Sequence, residues 1–317
     1  MQVIRGIEKL EAKNTVITIG NFDGVHIGHQ RIFDYLKRKA TQINGKSVVI
    51  TFHPHPIKVL FKEHPLRLIT TTDDKLKLIE KCGVDITILI PFTREFAQIE
   101  AEDFVKDILV EKLNAKWVVV GYDYRFGRGR KGDRYLLKKL GLFYGFKVTV
   151  LKAYKSKGKI LSSTAVRNAL NDGNIKEANL FLGRAYHIDG DVIKGLGRGS
   201  TVLGYPTANI APIQEIIPKE GVYAVKVTIP HLSKTFKGVA NIGKNPTFNN
   251  VNMSYEVHIF DFKENLLGKT IRVHFIARLR DEKKFNSPDE LKKNIAHDIE
   301  MAKKVFKQDR TRLFLDF

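Results

Sequence analysis

Two histidines, His26 and His29, stand three residues apart in "GNFDGVHIGH", between the apolar run Val16 to Ile19 and the helix-like "QRIFDYLKRKA". A helix that begins near Gly28 directs unpaired N–H groups and the positive end of its dipole at whatever occupies the loop, a ready phosphate site. Both imidazoles would then face the anion, and their N–H groups stabilise charge that develops on a phosphoryl oxygen. Gly28 leaves room for a flat base to lie against the backbone. Further on, "LSSTAVRNAL" offers Ser163 as a helix cap and Arg167 about one turn later, with a guanidinium free to fork onto phosphate oxygens. A plain capped surface helix would read the same way. In "TFHPHP", Pro54 and Pro56 hold an extended turn from which His53 and His55 face solvent or line a site. Zinc is disfavoured there, because no cysteine or carboxylate joins them at ligand spacing.

The C-terminal half carries a second set of candidates in "GDVIKGLGRGSTVLGYPTANIAP". Gly195, Gly197 and Gly199 can supply positive φ angles and exposed N–H groups to a phosphate, although no Lys-Ser/Thr follows as a P-loop requires. Thr207 and Asn209, two apart and hence on one strand face, offer a hydroxyl and an amide carbonyl to Mg²⁺ held with phosphate oxygens. In "SYEVHIFDF", Tyr255, Val257 and Ile259 share one face, which puts Glu256 and His258 on the other. Phe248, Tyr255 and Phe260 are either stacking surfaces for a planar ligand or barrel core.

These residues need elements to place them. Up to about residue 183, β-rich runs ("TVITIG", "SVVITF", "DITILI", "KWVVVG", "FKVTVLKAY") alternate with helical patterns, which implies a parallel sheet with helices on its faces. Ligands bind such sheets at the carboxyl ends of strands, where "GNFDGVHIGH", "TFHPHP" and "GYDYRFGRGRKGD" fall. After "NLFLGRAY" roughly six strands follow with turns and no helices between them, the rhythm of a small antiparallel barrel or sandwich. A final helix is announced by Ser287, Pro288 and Glu290, an S-x-x-E capping box with proline at the first helical position. The domains expected are 1–183 and 184–317.

Composition narrows the class. Cys82 is the only cysteine, which excludes an intrachain disulfide and any multi-cysteine metal site. No apolar run reaches the ~18 residues of a membrane span, and the start "MQVIRGIEKLEAKN" lacks a signal-peptide core. A cytoplasmic protein with no membrane partner is the expectation. The net charge of +20, from 54 Lys+Arg against 34 Asp+Glu, would attract any polyanion. The lysines are spread along the chain, so a generally basic surface explains the charge better than a nucleic-acid stripe, and no nucleic-acid partner is expected.

The HxGH pair resembles the signature of the nucleotidyltransferase superfamily, and "GNFDGVHIGH" is similar to the form found in bacterial FAD synthetases. "TFHPHP", "VVVGYDYRFGRGRKG" and "LSSTAVRNAL" fit the same family. "GYPTAN" resembles the PTAN motif of riboflavin kinases, and "GVYAV", "GVANIGKNPTF" and "FNSPDELKKNIAHDI" are similar to later parts of that domain. The resemblance, to bacterial bifunctional riboflavin kinase/FAD synthetases, implies a Rossmann-like α/β nucleotidyltransferase domain followed by a six-stranded antiparallel β-barrel closed by a helix. It implies riboflavin, FMN and ATP as substrates, FAD as product, and Mg²⁺. In the first domain it implies that His26, His29 and Arg167 are catalytic. Gly20, Asn21, Phe22, Gly28, Asp123, Ser162, Ser163 and Thr164 would bind ATP, and His53, His55, Tyr124 and Arg125 the FMN side. In the second it implies Gly195, Gly197, Arg198 and Gly199 at the ATP phosphates, Thr207 and Asn209 at the metal, and Glu256 as general base. His53 stands where the family commonly has an acidic residue, and Asp123 where it commonly has asparagine; altered affinity is the expectation.

Overall fold

The computed structural model describes residues 1–156, 158–194, 205–247, 250–283, 285 and 287–313. They form two compact units, Met1–Ser162 and Ser163–Phe317.

In the first unit, strands β1 (Gln2–Arg5), β2 (Thr15–Ile19), β3 (Lys46–His53), β4 (Ile86–Pro91) and β5 (Ala115–Gly121) are joined by β8 (Lys147–Leu151) in one sheet. Two short ladders lie beside it, β6 (Arg125–Phe126) with β7 (Gly132–Asp133) and β9 (Lys155–Ser156) with β10 (Lys159–Ile160). The sheet order is β1-β4-β3-β2-β5-β8 and every pair is parallel. The central strands are continuous apolar runs because both faces are covered: Val16, Ile17, Val48, Val49, Ile50, Val118 and Val119 are all fully buried. Strand β1 was not among the expected strands. It is an edge strand, and its mostly exposed side chains lack a buried strand's apolar run.

Helix α1 (Ile27–Gln42) buries Phe33, Leu36 and Ala40, a stripe at helical spacing, against β2 and β3. Helices α2 (Pro56–Leu60) and α3 (Thr72–Lys81) follow β3. The amphipathic segment after β4 opens as α4 (Ala101–Asp103) and continues as a π-helix over Phe104–Lys112, ending with Leu113 N–H donating to the carbonyl of Ile108 at 3.0 Å. Helix α5 (Arg134–Tyr144) precedes β8. The order in which strands are added reverses at the β2–β5 boundary, all strands staying parallel: β3 and β4 lie on one side of β2, β5 and β8 on the other. That boundary is the topological switch point, the place where open α/β sheets bind ligands at the carboxyl ends of their strands.

The second unit begins with α6 (Ser163–Asn171) and α7 (Ile175–Leu182), followed by β11 (Tyr186–Ile193), β12 (Ala208–Pro212), β13 (Gly221–Ile229), β14 (Lys234–Thr247), β15 (Asn250–Ile259) and β16 (Thr270–Arg280). These six strands close into an antiparallel barrel, β11-β12-β15-β14-β13-β16. Ile188, Ile210, Ala240, Ile242, Val257, Val273 and Phe275 converge on its interior. The β11–β16 seam is pinned by a fork, Arg272 Nε donating to Asp189 Oδ1 at 2.6 Å and Nη2 to Oδ2 at 2.7 Å. Asn179 of α7 bridges the same seam, accepting from Tyr186 N–H at 2.7 Å and donating to the carbonyl of Phe275 at 2.8 Å. The closing helix α8 (Pro288–Gln308) starts as its sequence indicates: Glu290 N–H donates to Ser287 Oγ at 3.2 Å.

Candidate active sites

The carboxyl end of β2 leads into a tightly held loop. Phe22 (φ +50°) and Val25 (φ +38°) adopt left-handed backbone, which for a β-branched residue is an outlier held only by its surroundings. Those surroundings are visible. The buried Asp23 carboxylate accepts from Ile69 N–H at 3.1 Å and from Thr70 N–H and Oγ1 at 3.2 Å. From α3, Lys75 Nζ donates to the carbonyl of Asn21 at 3.4 Å, to Thr51 Oγ1 at 3.1 Å and to the carbonyl of Phe52 at 3.1 Å. Burial pushes the Lys75 ammonium down to about 8, with the Asp23 charge opposing the shift.

His26 is the N-cap of α1, its Nδ1 accepting the His29 N–H at 3.3 Å. That bond leaves the proton of a neutral His26 ring on Nε2. The two imidazoles stack, centroids 3.6 Å apart and 19° from parallel, and Phe22 meets His29 edge-on at 5.1 Å. Burial, reinforced by the neighbouring His26, holds the His29 imidazole well below the usual histidine range, so it is neutral at pH 7. Its Nδ1 is buried with no hydrogen-bond partner among the described residues. A polar nitrogen left unsatisfied at a helix N-terminus, beside a strained loop and next to the switch point, is suited to receive an anionic ligand.

The space at Gly28 differs from expectation. A Cβ there would lie 3.0 Å from His26 Cε1, so the missing side chain makes room for the imidazole, not for a free base-sized gap. Gly20 does the same for Phe22, whose ring would stand 2.9 Å from an added Cβ. Across the switch point, Asp123 is exposed just past β5, and its Oδ1 would be 3.2 Å from a Cβ on Gly121.

On the opposite side of the β2 loop, His53 Nδ1 pairs with Thr72 Oγ1 at 2.8 Å and His55 caps α2, accepting from Ile57 N–H at 3.2 Å. Both thus have structural bonds beyond facing solvent. Arg125 is exposed and lies 3.9 Å from the Asp133 carboxylate. Tyr124 stacks on Phe126 at 5.4 Å, and its hydroxyl is buried with no hydrogen-bond partner among the described residues; burial pushes its ionisation far above the usual tyrosine range.

Two features here escaped the sequence reading. Phe52, Phe92, Phe96, Phe104 and Phe126 form a continuous chain of ring contacts, 5.6 to 6.4 Å between centroids, ending at Tyr124. Its members come from β3, the segment after β4, the π-helix and β6, so no local pattern reveals it. Lys75 did leave a trace: it falls on the face of α3 that carries Leu78 and Ile79, where a lysine is out of place.

Ser162 closes the first unit, while Ser163, Thr164 and Arg167 belong to the second. Helix α6 includes Ser163 as its first residue, which moves the capping position back to Ser162.

In the barrel, Asn209 on β12, Glu256 on β15 and Asn241 on β14 are successive cross-strand partners. Residues so paired share a face with Cβ atoms about 5 Å apart. Because Val257 points inward, this row points outward. Ser254 Oγ donates to Glu256 Oε1 at 3.0 Å. Strand β12 begins at Ala208, so Thr207 precedes the strand instead of lying on it; Pro206 has no N–H with which to lengthen the ladder. Thr207 and Asn209 line a cavity of about 290 Å³ bounded also by Pro206, Phe262, Asn265 and Leu267. Asn241 was missed because its place in the row depends on long-range register. Gly195, Gly197, Arg198, Gly199 and Phe248 lie outside the described residues. Tyr255 lines the barrel interior and Phe260 packs on Phe306 of α8 at 6.3 Å.

Comparison with known proteins covers both units. A family model described as FAD synthetase matches residues 8–165, and one described as riboflavin kinase matches 182–306. Proteins named bifunctional riboflavin kinase/FMN adenylyltransferase from Escherichia coli (strain K12) and Bacillus subtilis (strain 168) are 40% and 35% identical. They match over 96% and 94% of this chain and 98% and 94% of their own length. A crystal structure described as a macrolide-efflux protein from Streptococcus pneumoniae superimposes with TM-score 0.86 at 32% identity, over 96% of this chain and 99% of that one. Among the described residues, no helix is long and apolar enough to cross a membrane.

Proposed function

The chain belongs to the bifunctional riboflavin kinase/FMN adenylyltransferase family, and from that premise we propose that it performs both reactions, each with its own set of residues. Residues 184–317 phosphorylate riboflavin with ATP to FMN and ADP; residues 1–183 adenylylate FMN with a second ATP to FAD and pyrophosphate. The observation that carries this reading is that separate polar constellations occur in the two units: the stacked His26–His29 pair at the N-terminus of α1, and the Asn209–Glu256 pair across β12 and β15.

In phosphoryl transfer, Glu256 takes the proton of the riboflavin 5′-hydroxyl as its oxygen attacks the γ-phosphorus and the bond to ADP breaks. Positioning matters more here than a large change in basicity. Thr207 and Asn209 present a hydroxyl and an amide oxygen, hard neutral donors that fit Mg²⁺. When bound, the ion would neutralise charge on the ATP phosphates. Gly195, Gly197, Arg198 and Gly199 are assigned to the same phosphates.

In adenylyl transfer, an FMN phosphate oxygen attacks the α-phosphorus of ATP and the bond to pyrophosphate breaks. The His26 Nε2–H and the His29 ring donate to the charge that develops on the phosphoryl oxygens and leaving group. No covalent enzyme intermediate is needed. Gly20, Asn21, Phe22, Gly28 and Asp123 belong to the ATP side. The assignment of Ser162, Ser163, Thr164 and Arg167 to the triphosphate rests on the likeness of "LSSTAVR" to the family motif. His53, His55, Tyr124 and Arg125 belong to the FMN side, with the phenylalanine chain as an apolar wall for the isoalloxazine.

Labelled ATP separates the two steps. With riboflavin, label from the γ-position should enter FMN; with FMN, label from the α-position should enter FAD. Absence of both transfers would overturn the proposal.

The FMN side has its own test in Tyr124→Phe. Removing a buried hydroxyl that has no partner among the described residues should leave the protein as stable or more stable, by about 1 kcal/mol, while KM for FMN rises several-fold because the hydroxyl finds its partner in the flavin. Urea unfolding and steady-state kinetics read the two effects. A destabilised variant with unchanged KM would show that Tyr124 is structural only.

A further inference from the structure

His258 is a polar side chain of the barrel site to which neither reaction gives a role. It stands on β15 two residues after Glu256 and therefore on the same outward face. Its Nδ1 lies 2.9 Å from the carbonyl oxygen of Pro206. A carbonyl only accepts, so Nδ1 carries the hydrogen and donates it. The Tyr205 ring meets the imidazole edge-on at 5.5 Å and Phe260 lies 5.7 Å away, contacts that fix the plane of the ring.

The backbone ladder between β12 and β15 consists, among the described residues, of the pairs Ala208 with Val257 and Asn209 with Glu256. It stops before Pro206, which has no N–H to offer. The His258 bond takes over at that point, side chain to backbone. Thr207 is consequently held on both sides, by the ladder at Ala208 and by His258 through Pro206.

We propose that His258 is a positioning residue of the phosphoryl-transfer site: its bond to the Pro206 carbonyl sets the distance between the Thr207 hydroxyl and the Glu256 carboxylate. The proposal rests on the assignment of Thr207 and Glu256 above. It follows that His258 acts on nucleotide and metal binding without touching either, and that any side chain placing an N–H donor at the same point can replace it. Asparagine does so, because its Nδ2 is attached to Cγ as Nδ1 is in histidine.

The experiment compares His258→Leu, His258→Asn and Thr207→Val in the full chain. FMN formation gives kcat and KM for ATP; binding of Mn²⁺ in the presence of ADP, followed by electron paramagnetic resonance, gives a readout independent of turnover. Conversion of supplied FMN to FAD reports on the first unit, and circular dichroism with thermal unfolding of the full chain reports on folding of the barrel. His258→Leu should raise KM for ATP and weaken Mn²⁺–ADP binding by about five- to tenfold, the range expected for one lost hydrogen bond. His258→Asn should stay within about twofold of wild type, and FAD formation should be unchanged in both. The positioning role is overturned if the leucine variant binds and turns over normally, or if the asparagine variant is as impaired as the leucine one. Thr207→Val distinguishes the two levels. If it leaves binding and FMN formation intact, the assignment of Thr207 is wrong and the proposal falls with it. If it weakens both while His258→Leu does not, that assignment stands and the positioning role alone falls.

Discussion

Replacing Glu256 by glutamine should lower FMN formation from riboflavin by roughly 10²- to 10⁴-fold, the usual contribution of a general base, while conversion of supplied FMN to FAD continues at the wild-type rate. Glutamine keeps the shape of the side chain and an oxygen to accept the Ser254 hydroxyl, now at 3.0 Å from Oε1. The change therefore removes the basic site with little effect on packing around β15. KM for ATP should barely move, since the lost group acts on the hydroxyl proton, whereas kcat should carry the loss. Retention of FMN formation would mean that the 5′-hydroxyl reaches another base. A parallel loss of FAD formation in a folded variant would mean that the two activities share a site, contrary to the assignment of Glu256 and His29 to different units.

His29→Ala should do the reverse, lowering FAD formation from FMN by roughly 10²- to 10³-fold, as for loss of one donor to a developing oxyanion, with FMN formation preserved. The stacking of His26 on His29 at 3.6 Å makes a further demand. Removing either ring frees the other to turn, so the double variant His26→Ala/His29→Ala should lose much less than the product of the single losses. Fully multiplicative losses would argue against a stacked pair acting as a unit. Stability should change little. The buried Nδ1 of His29 has no hydrogen-bond partner among the described residues to lose.

Much of this arrangement was legible in the residues. The alternation of β-branched runs with helical patterns gave the parallel sheet because buried strands of such sheets are apolar on both faces. "GNFDGVHIGH" was placeable at the carboxyl end of a strand because the strand, the turn and the helix are all local. The spacing of Tyr255, Val257 and Ile259 assigned Glu256 to the outward face for the same reason. What stayed hidden depends on contacts between distant segments. Lys75 reaches Asn21 and Phe52 from a helix more than twenty residues away; Asn241 joins Asn209 and Glu256 only through the register of three strands; and the phenylalanine chain is assembled from the ends of several elements. Local pattern also misjudged close packing at Gly28, where the neighbour that needs the space is the imidazole two residues earlier. The edge strand β1 was passed over because only Ile4 of its four side chains packs on the core, too little to give the apolar run that marks the other strands.

The most direct test of two activities in one chain is a single reaction of the pure protein with riboflavin, excess ATP and Mg²⁺, sampled over time and separated by reversed-phase chromatography. FMN should form first and then decline as FAD accumulates, with ADP and pyrophosphate released in the corresponding steps. A reaction that yields neither flavin nucleotide, or that stops at FMN with ATP still present, would contradict the account.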